Sequence, residues 1–429
     1  MSQGAFDVNS ARPDTTDLPS LVVPPPAAAP LPWLLHAYGH SLVEGGDDTW
    51  GPQFPNRFTS RLASRLRAVE INHAKGASAL CNDNEPNRPG AEWATSGGWV
   101  TVLQTVVPEP RKDLPLLCPQ QLVVLMNGHM EFAIAGPDRT PGLYPGVLRT
   151  VLRRLRAAAL YEDTHESVRV MGTTERFEGR TRNSGTGLTL ITADKGTVDI
   201  DVPEWYPGGR AIDVGGTFYE DAAADVIVSL DGRELGIHEV TKIPSATVGD
   251  PNPDLTPWSY RIEGHLLTPG KHRIRLEYVN VKGWGSFDYW QIEAIQPPLI
   301  LLPEAPRMPG EWDTAPVKSN FNVSEEDRLV IDALQRGVAR EFTDGNVQYV
   351  PLQDLMDHDA PLYTDDELHP NAHGADLIAE RLYDHVVANW TRAHALTTGT
   401  AVPRDRTQRE IQIQKVRSKL GLVKRRILN

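Results

Sequence analysis

Two short stretches carry residue types that together can cleave an ester. The first is Tyr38-Gly39-His40-Ser41-Leu42, which ends the apolar run Trp33–Tyr38. A serine on the sharp turn from a strand into a helix exposes its hydroxyl. Backbone N–H groups at such a turn aim at the oxygen of a reacting carbonyl. The second stretch is Asp366-Glu367-Leu368-His369-Pro370-Asn371. A histidine three residues after an aspartate, just ahead of a helix, can take the proton of a serine on a neighbouring strand end. The aspartate then holds the ring in the required tautomer and stabilises the imidazolium. Each stretch also has a plainer reading, as a loop serine after glycine and as an Asp/His turn capping a helix.

These residues need strand ends and helix starts to hold them, and the surrounding pattern predicts both. Trp33–Tyr38, Val69–Asn72 and Gln121–Met126 read as strands, with a helix at Phe54–Leu66 and a helical or mixed stretch at Trp93–Val107. Leu143–Leu160 reads as an amphipathic helix. Strand–helix–strand order of this kind predicts a parallel sheet with helices on both faces. From about residue 165 to about 297 the helical repeat disappears. Short strands replace it at Val168–Met171, Leu188–Thr192, Thr197–Val202, Ala211–Tyr219, Asp225–Leu230 and His272–Val279, with turns at Asp231-Gly232 and Pro269-Gly270. That is the pattern of an all-β sandwich. The α/β pattern returns with strands at Leu299–Leu302 and Val347–Pro351. Helices follow at Ser324–Phe342, with Ser324 as N-cap, and at Asn371–Trp390.

The predicted organisation is therefore a disordered Pro/Ala-rich arm (1–30), an α/β domain in two parts (31–164 and 298–395), an inserted β-sandwich (165–297) and a basic C-terminal helix or tail (396–429). In that tail Ile413, Val416, Leu420, Val423 and Ile427 recur at helical spacing among basic residues, which suits self-association through a helix face, a membrane surface or a solvated tail. The net charge of −13 argues against nucleic acid as a partner, because phosphate binding needs a basic footprint. Two cysteines, Cys81 and Cys118, offer no metal-site spacing. There is no run of about 18 apolar residues to span a membrane. The N-terminus lacks the basic head and apolar core of a secretory signal. A cytoplasmic location is the default expectation, with a phage virion or leaderless export as alternatives.

Taken together, the two stretches resemble the conserved blocks of the SGNH (GDSL-like) serine hydrolases. Gly39-His40-Ser41-Leu42 is similar to the family's Gly-Asp-Ser-Leu block, and Asp366–Asn371 to its Asp-x-x-His-Pro-Asn block. The resemblance covers roughly residues 31–160 and 298–395. It implies a three-layer, flavodoxin-like α/β fold and an acyl-enzyme mechanism without metal or cofactor, with Ser41 as nucleophile, His369 as base and Asp366 as its orienting partner. It also implies an oxyanion hole from the N–H groups of Ser41 and Ala77, the latter in Asn72–Ser78, which matches the second block. The third block departs from the pattern. Met130 stands where the family has an asparagine donor, in Asn127-Gly128-His129-Met130-Glu131. Either Asn127 on a shifted loop or His129 supplies that donor, or the site is weak or dead.

His40, Gly76, His129, Met130 and Glu131 are further candidate site contacts. His40 alternatively reads as a plain loop histidine, His36 as a satisfied sheet residue, and Glu44 as a solvated loop charge. The strands around Pro269-Gly270-Lys271-His272 and Phe287-Asp288-Tyr289 look like those of carbohydrate-binding sandwich modules. This makes Trp205, Tyr206 and Trp284 candidate sugar contacts, against an alternative as core aromatics. The expected function is ester hydrolysis on an O-acylated carbohydrate or glycolipid. Acyl transfer to a sugar, or glycan binding and surface assembly on a disabled hydrolase fold, are the alternatives.

Overall fold

The computed structural model describes residues 33–45, 57–76, 78–80, 102, 122–127, 131, 140–178, 187–219, 223–240, 255–304, 325–355 and 369–398. The predicted N-terminal arm and basic tail, both cysteines, Ala77, His129, Met130 and Asp366 lie outside the described residues.

Five strands form one all-parallel sheet: β1 (Trp33–Gly39), β2 (Ala68–Asn72), β3 (Leu122–Met126), β16 (Leu299–Pro303) and β17 (Val347–Val350). Their spatial order is β17-β16-β3-β1-β2. Counted within this sheet it is the 2-1-3-4-5 order of flavodoxin-like folds, whose switch point lies between β1 and β3. Side chains alternate across the sheet as the strand period requires. Tyr38, Val123, Leu125, Ile300 and Leu302 pack on α3 (Thr140–Leu155) and α4 (Glu325–Glu341). Leu35, Ala37, Val124, Met126, Leu299 and Leu301 pack on α2 (Phe58–Leu66) and α5 (Ala372–Thr398). Both faces are covered, which is why these strands read as unbroken apolar runs rather than alternating ones.

Between α3 and β16 the strand pairs among the described residues are antiparallel. One sheet has the order β11-β10-β13-β8-β5 and another β12-β9-β15-β4, with a three-stranded β14-β7-β6 sheet beside them. Here β4 is Ala157–Glu162, β5 Val168–Met171, β6 Thr174–Glu178, β7 Gly187–Ile191, β8 Thr197–Val202 and β9 Ile212–Tyr219. The rest are β10 (Ala223–Leu230), β11 (Arg233–Val240), β12 (Leu255–Ile262), β13 (His272–Lys282), β14 (Gly285–Phe287) and β15 (Tyr289–Glu293). Val198, Ile200, Val226, Val228, Ile274 and Leu276 from the first sheet meet Ile212, Val214, Trp258, Trp290 and Ile292 from the second in one apolar cluster. The turn expected at Asp231-Gly232 joins β10 to β11 with both residues at positive φ, 52° and 81°. That is the backbone twist a two-residue hairpin needs.

The structure changes one boundary in an informative way. The helix expected over Leu143–Leu160 stops at Leu155, and Ala157–Glu162 is a strand. Three alanines there are good helix formers, but they pair with β15 instead, Glu293 opposite Ala157 and Tyr289 opposite Glu162. Tertiary pairing overrides local propensity. The last helix also runs on to Thr398. Of the stretch Trp93–Val107 only Val102 is described, as a buried helical residue.

Arg156, between α3 and β4, ties the two parts of the molecule together. Its guanidinium donates to Glu293 Oε1 on β15 at 2.7 and 2.9 Å, and to both oxygens of Asp344, just past α4, at 2.5 and 3.3 Å. On α3, Arg153 donates to the Ser259 carbonyl and hydroxyl of β12.

Candidate functional site

Ser41 is the first residue of a one-turn helix, α1 (Ser41–Glu44), at the carboxyl end of β1. Gly39 makes the turn feasible. Its φ is +155°, and a Cβ there would fall 2.4 Å from the Met126 carbonyl oxygen and 2.5 Å from Val43 Cγ2. His40 is fully buried, and its backbone carbonyl accepts the N–H groups of Val43 and Glu44. Its Nδ1 faces the Leu42 N–H at 3.5 Å. It therefore caps α1. The Ser41 side chain remains partly accessible.

The segment after β2 folds over the end of β1. His73 N–H donates to Ala37 O at 2.8 Å, Lys75 N–H to Gly39 O at 3.0 Å, and the Ser78 hydroxyl to Gly39 O at 3.0 Å. Asn72 braces the segment, donating from Nδ2 to Val43 O and accepting the Ala74 N–H. Gly76 consequently lies beside Ser41: a Cβ on it would be 4.0 Å from Ser41 Cβ. Its N–H donates to Glu44 Oε2 at 2.6 Å. Glu44 is thus a structural partner of this loop, not the solvated loop charge expected.

At the end of β3, one strand over, Asn127 is 2% exposed. Among the described residues neither its Oδ1 nor its Nδ2 has a hydrogen-bond partner. The register puts Met126 opposite Gly39, so Asn127 follows β3 where His40 and Ser41 follow β1. Its backbone carbonyl, in contrast, is doubly held. The Tyr144 hydroxyl of α3 donates to it at 3.2 Å, and Gln335 Nε2 of α4 donates to it as well. Glu131 is fully buried, and both its carboxylate oxygens accept the Leu80 N–H, at 2.7 and 2.9 Å. It thereby ties the end of the segment after β2 to the segment after β3.

His369 is 8% exposed and sits two residues ahead of the cap of α5. Asn371 forms that cap, with Oδ1 accepting the N–H groups of His373 and Gly374 at 3.0 Å. Ala375 in the first turn shares an apolar cluster with Leu42, Val43 and Met126. The start of α5 therefore packs on the same face of the sheet as Leu42 and Val43 of α1.

A histidine pair lies on the other side of the β1 end. His36 Nδ1 is 3.1 Å from His73 Nε2, and the His73 ring stacks on Tyr38 at 4.6 Å. Burial, and then the nearby His73, push the His36 pKa down to about 4; burial also lowers that of His73. On α4, burial and a bond to Glu304 push the Asp332 carboxyl up to about 9. Among the described residues no group of three or more His, Cys, Asp or Glu is placed to hold a metal ion, and no helix is long and apolar enough to cross a membrane.

Of the aromatic residues expected to meet sugars, Tyr206 is buried, with its hydroxyl bonded to the Arg210 backbone. It is a core residue of the sandwich, because its ring packs in the apolar cluster between the sheets. Trp205 is half-buried against the same cluster, and Trp284 is half-buried against the α/β core. The sequence reading missed Gln335 and Tyr144. Gln335 did carry a signal: it falls on the inward helical stripe of Ile331 and Val338, where an apolar residue is the rule.

No family model matches the chain, and no curated protein does. Among solved structures, it is similar to a carbohydrate acetylesterase from Sinorhizobium meliloti, with 12% identity over 83% of this chain and 99% of that one and a TM-score of 0.39. It is also similar to the CBM36-1 domain of a multidomain xylanase from the hindgut metagenome of Trinervitermes trinervoides (18% identity, 32% of this chain, 96% of that one, TM-score 0.23). A family 35 carbohydrate-binding module from Clostridium thermocellum is similar at 10% identity over 31% of this chain and 97% of that one, with a TM-score of 0.24.

Proposed function

We propose that this chain is a serine-dependent ester hydrolase with its reaction centre at the β1/β3 switch point. The observation that carries the reading is the buried amide of Asn127, which has no partner among the described residues, one strand away from the Ser41 turn. A buried amide without partners is costly, and its use becomes clear if a substrate oxygen completes it. In this reading His369 takes the Ser41 hydroxyl proton, and Ser41 Oγ attacks the acyl carbon. The alcohol leaves with that proton, and water releases the acid from the acyl-enzyme. Asp366 orients His369. The Ser41 N–H, the Asn127 Nδ2 and the N–H of Ala77 receive the oxyanion, and Met130 takes no part.

The substrate class we propose is O-acylated carbohydrate or glycolipid. The sandwich supports it through the strand patterns around Pro269–Arg273 and Phe287–Tyr289, with Trp205 and Trp284 as the half-buried aromatics nearest to solvent among the expected three. The test is hydrolysis of p-nitrophenyl esters of increasing chain length and of acetylated oligosaccharides, with a fluorophosphonate probe in parallel. Wild type should turn over short esters and be labelled. Ser41→Ala and His369→Ala should lose at least about a thousandfold in kcat. Equal release by wild type and Ser41→Ala rules the esterase out.

A further inference from the structure

We infer that Gln335 is a positioning residue of this site, one that acts through Asn127; the inference rests on the esterase reading. Three buried residues from three elements form a closed ring. Gln335 Nε2 on α4 donates to the Asn127 carbonyl, and also to the Tyr144 hydroxyl on α3 at 2.8 Å. The Tyr144 hydroxyl in turn donates to the same Asn127 carbonyl. Tyr144, Gln335 and Asn127 are 0%, 1% and 2% exposed.

One donor would satisfy that carbonyl. Two donors, from helices far apart in sequence, fix its direction. The carbonyl belongs to the first residue past β3, so holding it fixes the Asn127 backbone torsion and with it the line along which the side chain leaves. Among the described residues the side-chain amide itself has no partner to hold it. Among them, its aim is set through its own backbone. Gln335 accepts a penalty for this: its Oε1 is buried and also has no partner among the described residues. A merely packed position on this inward stripe, between Ile331 and Val338, would take leucine at no such cost. The purpose of a preorganised donor is that nothing needs to reorient as charge develops on the substrate oxygen. Gln335 and Tyr144 supply that rigidity from outside the site.

The experiment is a double-mutant cycle on the full chain, read as kcat and KM for a short p-nitrophenyl ester. Gln335→Met keeps the volume and removes the donor. It should lower kcat about 10- to 100-fold with KM within twofold, as expected when a donor used in the transition state is misplaced. In the Asn127→Ala background the same substitution should change kcat less than twofold. Gln335→Glu guards against a folding defect in the first variant. A glutamic acid at 335 can donate to the Asn127 carbonyl only while protonated. Its kcat relative to wild type should therefore be highest at the acid end of the profile and fall as pH rises.

Wild-type kcat in a folded Gln335→Met overturns the inference alone. So does an equal loss in both backgrounds, an unchanged kcat in Asn127→Ala, or a pH-independent ratio for Gln335→Glu. Absence of any Ser41-dependent turnover in wild type overturns the esterase reading, and this inference falls with it.

Discussion

The carboxylate of Glu44 accepts the Gly76 N–H at 2.6 Å, on the loop that flanks Ser41. In the proposed esterase reaction a negative charge there would oppose the negative charge that develops on the substrate beside Ser41. The loop does not depend on it, because His73, Lys75 and Ser78 hold the same segment to β1. Glu44→Gln keeps an acceptor for the Gly76 N–H and removes the charge. We expect kcat/KM for a neutral short ester to rise several-fold, with an unchanged melting temperature. A fall of more than threefold would mean that the charge anchors the loop and that its electrostatic cost is secondary.

Arg156 gives a prediction about stability rather than rate. Burial pushes the Glu293 carboxyl up, and Arg156 and Arg261 outweigh it and hold it below the usual range. Arg156→Met leaves Glu293 with Arg261 and Asp344 with its contacts to Asn346. Breaking a buried ion pair from one side costs about 3–5 kcal/mol, and the remaining Arg261 places this case near 3. Calorimetry should show a loss of several degrees in Tm. Arg156→Lys should recover only part, because an ammonium cannot bridge two carboxylates with the same fork.

The histidine pair predicts an acid-side loss of stability. His36 has a folded pKa of about 4 against an ordinary value of 6.5. Below pH 6.5 the unfolded chain binds a proton there that the folded one does not, so stability rises with pH across that window and is lost as pH falls from 6.5 towards 4. The contribution is at most about 3.5 kcal/mol, from about 1.4 kcal/mol per pKa unit. His36→Phe preserves a ring to stack on His73. Denaturant titrations at pH 7 and pH 4.5 should show a smaller difference for this variant than for wild type. An identical difference would assign the acid sensitivity elsewhere.

Much of this architecture is legible in the chain itself. The buried strands at Leu35, Val123–Leu125 and Leu299–Leu302 announce themselves because both sheet faces are covered, and the glycine before Ser41 announces a turn no side chain could make. The antiparallel part was read less completely. Strands β6, β11 and β12 have no counterpart in the sequence pattern, β14 and β15 show only as the stretch around Phe287–Tyr289, and β4 reads as helix. Half-buried strands with charged outer faces, such as β11, carry weak patterns, and alanines go where their partners are. In the site, the positions of Ser41 and of the α5 cap followed from local rules. The roles of His40, Glu44 and Glu131 did not, because each is decided by a partner distant in the fold or by a backbone turn. Gln335 is the sharpest case: its partner lies 208 residues earlier in the chain.

The pairing of β4 with β15 has a consequence for the molecule's history and for its engineering. The chain leaves the α/β layers at Ala157 and comes back at Glu293, and these two residues face each other across one strand spacing, about 5 Å. Everything between them is topologically a closed loop hung on adjacent posts. A gene segment could enter or leave at that point without stretching the crossover from β3 through α3 to β16. A deletion joining the two posts with a short turn would leave the order of the parallel sheet intact, and with it the strand ends that carry Ser41 and Asn127.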